Sequence, residues 1–140
     1  MQQLHILYPL FVMAALTFYI TIRLAKVRVR AVLQDGLKAA YFKNNRGGEP
    51  PEYLLRSEQH YINHFEQPVL FYAICLIAYI TASVDLLAIG LAWLFVATRF
   101  IHTYIHLGTN KLLKRKQIFI YNVIILITLW CEIFVRIILK

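Results

Sequence analysis

Long apolar runs separated by short polar segments dominate the chain. Leu4–Ile22 is 19 residues of almost unbroken hydrophobicity; as a helix it reaches roughly 28 Å, close to a hydrocarbon core of about 30 Å. From Tyr61 to Leu107 the apolar character persists far beyond one crossing, and Ser83, Val84 and Asp85 are its polar interruption. The pattern therefore predicts a second span over about 61–82, a third over about 86–107 and a fourth over about 118–139. Membrane strands would be about ten residues long with alternating polarity, which these runs are not. The prediction is an all-α integral membrane protein with four transmembrane helices. Between the first two runs, Val29, Val32, Leu33, Gly36, Leu37, Ala40 and Tyr41 recur at helical spacing, so helix one should continue past the membrane or lie on its surface. The segment Asn44–Pro51, with its paired Gly and paired Pro residues, should break any helix. No repeat or linker divides the chain, so residues 1–140 read as one domain.

Composition agrees with lipid burial. Hydrophobic residues make up 60% of the 140, and charged residues 16%, against roughly 25% charged in a typical soluble domain. A soluble fold of this size could not hide so much apolar surface. The formal net charge of +8 raises nucleic acid as a partner, but position argues against it. Arg23, Lys26, Arg28, Arg30, Lys38, Lys43, Arg46 and Arg56 lie between the first two runs, and Lys111, Lys114, Arg115 and Lys116 between the last two. That pattern belongs to cytoplasmic loops, with both termini outside. The bilayer is the partner indicated, and nucleic acid is not. Met1–Ile6 has no basic segment and no small-residue cleavage site follows, so the first run should be a retained span. Cys75 and Cys131 sit inside apolar runs without a CxxC neighbour and read as small buried hydrophobes.

Ionisable residues inside spans are costly and are therefore functional candidates. At 3.6 residues per turn, Gln59, Asn63, Glu66 and Gln67 share one face at the head of helix two, and His60 and His64 an adjoining one. Pro68 should bend this helix by removing a backbone donor. Arg99, His102, Thr103, His106 and Asn110 form a stripe on helix three. Four short helices do not readily enclose both stripes, which points them at each other or at a neighbouring subunit. A structural Arg99–Glu66 pair competes with a binding pocket, since buried amide and charged groups also serve as interhelical hydrogen-bond partners. The histidine pairs at i, i+4 raise a metal or haem site, but the spacing arises easily by chance, and no metal is expected. Glu132 and Arg136 should pair within helix four.

Arg56, Asn63, Glu66 and Pro68, followed by Arg99, His102 and His106 and then a basic loop, resemble the pattern of the MAPEG family, the membrane-associated proteins in eicosanoid and glutathione metabolism. The chain looks similar to that family's bacterial branch. The resemblance implies a homotrimer of four-helix protomers with glutathione as cosubstrate, and a site between subunits on the cytoplasmic side of a bacterial inner membrane. It places Arg56, Gln59, Asn63, Glu66, His102 and His106 at glutathione-binding positions. Arg115 or Lys111 stands where the family supplies a thiolate-stabilising arginine, with Arg99 a third candidate cation. The activity implied is a glutathione-dependent transferase or peroxidase for lipophilic substrates. The rival is a non-catalytic lipid-binding or accessory subunit of a larger membrane complex, as the family's activating-protein branch illustrates. This chain departs from the pattern in four places: Gln59 and Ile62 replace arginines, Leu55 replaces an acidic residue, and His106 a frequent tyrosine.

Overall fold

A computed structural model describes residues 2–44, 48–108 and 111–139. Asn45, Arg46 and Gly47 of the expected helix-breaking segment, Asn110 of the helix-three stripe, Met1 and Lys140 lie outside the described residues. A short 3-10 helix (Gln2–Ile6) leads into α1 (Leu7–Leu33); α2 (Tyr41–Asn44), α3 (Glu52–Glu66), α4 (Pro68–Ile80), α5 (Leu86–Leu107) and α6 (Leu112–Ile138) follow. The described residues contain no strand.

Three of these helical segments are long and apolar enough to cross a membrane: Gln3–Leu33, Leu86–Leu107 and Leu112–Ile138. The protein is an all-helical, multi-pass integral membrane protein. The run expected as a single second helix is instead divided at Gln67. Pro68 has no N–H to continue the helical ladder, and its ring crowds the carbonyl four residues back. Each half is too short to span alone, at 15 and 13 residues.

α1 has 27 residues and is about 40 Å long, well beyond the hydrocarbon thickness. Its buried face, Met13, Leu16, Ile20 and Leu24, follows the three-and-four spacing of an apolar stripe. The helix continues past Ile22 as expected, but stops at Leu33 rather than running to Tyr41. Gly36, at φ +67°, takes the left-handed conformation that costs glycine no steric penalty. This turns Leu37 back to donate its N–H to the Ala31 carbonyl at 3.0 Å and to join Leu24, Ala31 and Leu54 in a small second core. The main core is built from Met13, Leu16, Ile20, Phe71, Ile74, Phe95, Leu126, Leu129 and Ile133. At its centre Phe71 of α4 stacks on Phe95 of α5 at 4.5 Å.

α1 packs against α3, α4 and α5, and α6 lies along α5 with a smaller contact to α4. Between α4 and α5, Gln3 ties the turn: its amide donates to the Ala82 carbonyl at 3.1 Å and accepts from the Val84 N–H at 3.1 Å. Asp85 caps α5 by accepting from the Ala88 N–H at 2.8 Å. α6 begins at Leu112, two turns before the apolar run itself, because Leu, Lys, Arg and Gln are good helix formers. Cys75 is buried, but Cys131 is exposed on the outer face of α6; at its position a hydrophobe faces lipid rather than core.

Candidate functional site

The site begins with Pro68. Having no N–H, this residue leaves the His64 carbonyl without its usual helical donor. Arg99 supplies one: its Nη2 donates to the His64 carbonyl at 3.0 Å and lies 3.3 Å from the Asn63 carbonyl. The guanidinium also sits 5.8 Å from the centre of the Phe95 ring. Arg99 is fully buried and makes no close ion-pair contact with Glu66, whose exposed side chain acts on it only at longer range. The alternative of a structural Arg99–Glu66 pair is therefore corrected. The end of a broken helix, with its negative dipole, takes the place of a carboxylate.

Beside Arg99, four imidazoles gather. His60 lies 6.0 Å from His64, 6.0 Å from His102 and 4.8 Å from His106, between ring centres. All four are 0–2% exposed, so one protomer encloses the histidine stripe that seemed to need a neighbour. His64 Nε2 is 2.9 Å from the Thr17 hydroxyl, which is 2.9 Å from the Tyr72 hydroxyl. His60 has no hydrogen-bond partner at either ring nitrogen. Among the described residues, no group of three or more His, Cys, Asp or Glu side chains is arranged to hold a metal ion.

Of the other site candidates on α3, Gln59, Asn63 and Glu66 face outward. Gln59 and Glu66 are exposed and Asn63 half-buried, while Gln67 is buried. The helix break rotates Gln67 away from the face it would share in a continuous helix. Asn63, Glu66 and His102 line a cavity of about 370 Å³ together with Leu112, Arg115, Lys116 and Phe119. Arg115 Nη1 is 3.3 Å from His106 Nε2, linking this cavity to the histidines behind it. The cavity thus presents two cations, one carboxylate and one amide over an apolar floor.

The other sequence candidates lie elsewhere. Arg56 pairs with Glu52 at 2.6 Å and reaches the Gly108 carbonyl at 3.4 Å. With Gln59 and Ile62 it lines a separate cavity of about 420 Å³. Lys111 is exposed at the head of α6, and neither it nor Arg99 lines the Glu66 cavity. Sequence reasoning missed Lys116 and Phe119, whose signal was their spacing from Arg115 on an extended α6. It also missed Thr17 and Tyr72, for which spacing within one helix carries no signal.

Comparison with curated proteins and with solved structures gives no match. The profile of the MAPEG family matches residues 6–135, nearly the whole chain. With a membrane-spanning helical fold and a match of that length, the chain belongs to the MAPEG family.

Proposed function

We propose that the protein is a glutathione-dependent transferase or peroxidase acting on lipophilic electrophiles that enter from the bilayer. The observation that carries this reading is the cavity in which Asn63, Glu66, His102 and Arg115 meet. Glutathione has two carboxylates, one ammonium group and one thiol. Lys116 complements a carboxylate, Glu66 the ammonium and Asn63 the peptide groups, which leaves Arg115 for the thiol, so the donor set fits the tripeptide. A cation beside a thiol favours the thiolate, its nucleophilic form. Arg115 would take that role in preference to Lys111 or Arg99, which stand outside the cavity. Arg56, Gln59 and His106 would act around it: Arg56 and Gln59 from the neighbouring cavity, His106 by orienting Arg115.

In this reading residues 1–140 form one domain and α3 and α4 together make a kinked second crossing, giving four spans. The basic loops face the cytoplasm of a bacterial inner membrane, and three copies assemble. The outward face of Gln59, Asn63 and Glu66 supports assembly, because polar side chains on a lipid-facing helix need a partner. A non-catalytic lipid-binding subunit is the second reading, favoured by Gln59 and Ile62 standing where the family pattern has arginines.

Isothermal titration of the purified protein with glutathione tests the first reading, and saturable binding abolished by Glu66→Ala is the expected result. No heat of binding, in a protein that is trimeric by mass, leaves the accessory reading. In a background without Cys75 and Cys131, Lys38→Cys should be shielded from an impermeant thiol reagent outside intact cells. Leu139→Cys should react; the opposite labelling reverses the topology.

A further inference from the structure

On a different face of α5 from the Glu66 cavity, α1 and α5 enclose a groove of about 570 Å³. Its walls are apolar and aromatic, with Leu16, Phe100 and Leu107 along its length, and two polar groups break them. Arg23 lines one end; it donates to the Ser57 hydroxyl at 3.1 Å and forms no ion pair among the described residues. Thr103 lies deeper. Its side chain is buried, with the residue only 7% exposed, and its hydroxyl has no hydrogen-bond partner.

That hydroxyl is unlike the other threonine hydroxyls among the described residues. Thr17, Thr21, Thr81, Thr98 and Thr128 each donate to the carbonyl four residues back, the usual way a threonine is satisfied in a membrane helix. Among the described threonines Thr103 alone does not. A buried hydroxyl left without a partner is costly, so a groove ligand that accepts a hydrogen bond there is favoured.

We propose that this groove binds one anionic phospholipid of the adjoining leaflet, with its phosphate on Arg23, an ester carbonyl accepting from Thr103 and one acyl chain along α1 and α5. Two polar groups at two depths select this class. Arg23 and Gly108 line the same groove, and Thr103 lies five residues before Gly108 on α5, about 7 Å deeper along the helix. A phospholipid carries its phosphate above its ester carbonyls in the same order, whereas a fatty acid has a single polar head. The charge also fits: Arg23 begins a basic row continued by Lys26 and Arg30 at helical spacing, and basic clusters at the cytoplasmic edge of membrane helices recruit anionic headgroups. Tyr104, 79% exposed at the same end, matches the aromatic belt found at headgroup depth. The volume suits a single chain, leaving the second in bulk lipid. This inference does not rest on glutathione binding at the other cavity.

The test uses the full chain in detergent with dioleoyl phosphatidylglycerol, dioleoyl phosphatidylcholine and oleate as probes, read by native mass spectrometry. A photoactivatable phosphatidylglycerol maps the contacts. The expected result is one phosphatidylglycerol retained per chain where phosphatidylcholine and oleate are lost, with cross-links confined to residues 15–23 and 100–108. Arg23→Gln should weaken retention about fivefold, and Thr103→Val should weaken it less. Ala15→Trp should block the groove. If that variant does not fold, Arg23→Glu gives the same readout without altering the apolar walls. Equal retention of phosphatidylcholine, displacement by equimolar oleate, or cross-links spread over α4 and α6 would overturn the proposal. So would the loss of cross-links on self-association, which would give the groove to a second copy.

Discussion

The two ends of the helix bundle treat their buried and half-buried polar groups differently. At the end that gathers the N-terminus, the α4–α5 turn and the last turns of α6, opposite charges meet. Arg136 pairs with both Asp85 and Glu132, Asp85 also caps α5, and Gln3 closes the turn with its amide. At the other end Arg28 and Arg56 do pair with Glu58 and Glu52, but Arg99 is buried against backbone carbonyls with no carboxylate in ion-pair contact, and His60 and Gln67 have no partners for their polar side-chain atoms. Arg115 and Lys116 add further positive charge around a cavity. Low-dielectric surroundings make an uncompensated charge or an unmade hydrogen bond expensive. The first end therefore reads as a clasp whose job is finished within the chain. The second gathers Arg115 and Lys116 around a cavity, the arrangement on which the proposed binding of an anionic tripeptide rests.

The sharpest way to break this contrast is to remove Arg99. Arg99→Leu should cost about 3 kcal/mol, the scale of losing a buried charged hydrogen-bond donor, measured by denaturing-detergent titration with circular dichroism. The link to Pro68 makes this specific. Pro68→Ala restores an N–H for the His64 carbonyl, so the double variant should recover part of the loss, with a coupling of about 1 kcal/mol. Strict additivity would show that Arg99 does not act through the broken helix.

At the cavity, Arg115→Gln should lower glutathione affinity about tenfold, roughly 1.4 kcal/mol. Stability should move by less than about 0.5 kcal/mol, as for most surface substitutions. A large stability loss with unaltered affinity would place Arg115 in the scaffold instead.

The clasp should yield less. Its ion pairs are partly exposed, with Arg136 at 40% and Asp85 at 26%, so solvent screening limits Arg136→Ala to about 1 kcal/mol. Asp85→Asn should keep the cap and lose only the pair, whereas Asp85→Ala should lose both, about 1 kcal/mol more. Equal effects of the two changes would mean that the cap contributes nothing.

The smallest effect concerns the loop beyond α1. Tyr53 donates its hydroxyl to the Asp35 carboxylate, which raises its pKa above the ordinary value of 10.0, chiefly through that hydrogen bond. A raised tyrosine pKa means stability that is present below about pH 10 and lost as pH rises through the folded value. Tyr53→Phe should therefore lower stability slightly across the neutral range and leave the alkaline limb of the stability curve shallower, with the two curves converging above the folded value. An unaltered alkaline limb would show that the bond carries no linkage.

Some of these relations were legible in the chain and some were not. α5 begins and ends where the hydrophobic pattern placed helix three, because Asp85 is a strong N-cap next to an abrupt apolar boundary. The Glu132–Arg136 pair was legible because side chains four positions apart on one helix are neighbours. That pair's second partner, Asp85, lies 51 positions away, and no local spacing reports it. The Pro68 bend was visible as a bend, but its consequence was not. A freed backbone carbonyl leaves no trace in a side-chain pattern, so Arg99 invited pairing with the nearest acidic residue in the motif, Glu66.

Residence in the membrane, the helical fold and membership of the MAPEG family were determined by the sequence alone, because run length, loop charge and motif order are properties measured along one dimension. The partition of α3 into a buried histidine face and an outward Gln59–Asn63–Glu66 face was decided only by the tertiary structure. So was the placement of Arg115, rather than Arg99 or Lys111, in the lining of the cavity that holds Glu66. Both depend on the rotation of one helix relative to another across a break at Gln67, and that angle is set by what packs against α5 and α6 rather than by any residue's position in the chain.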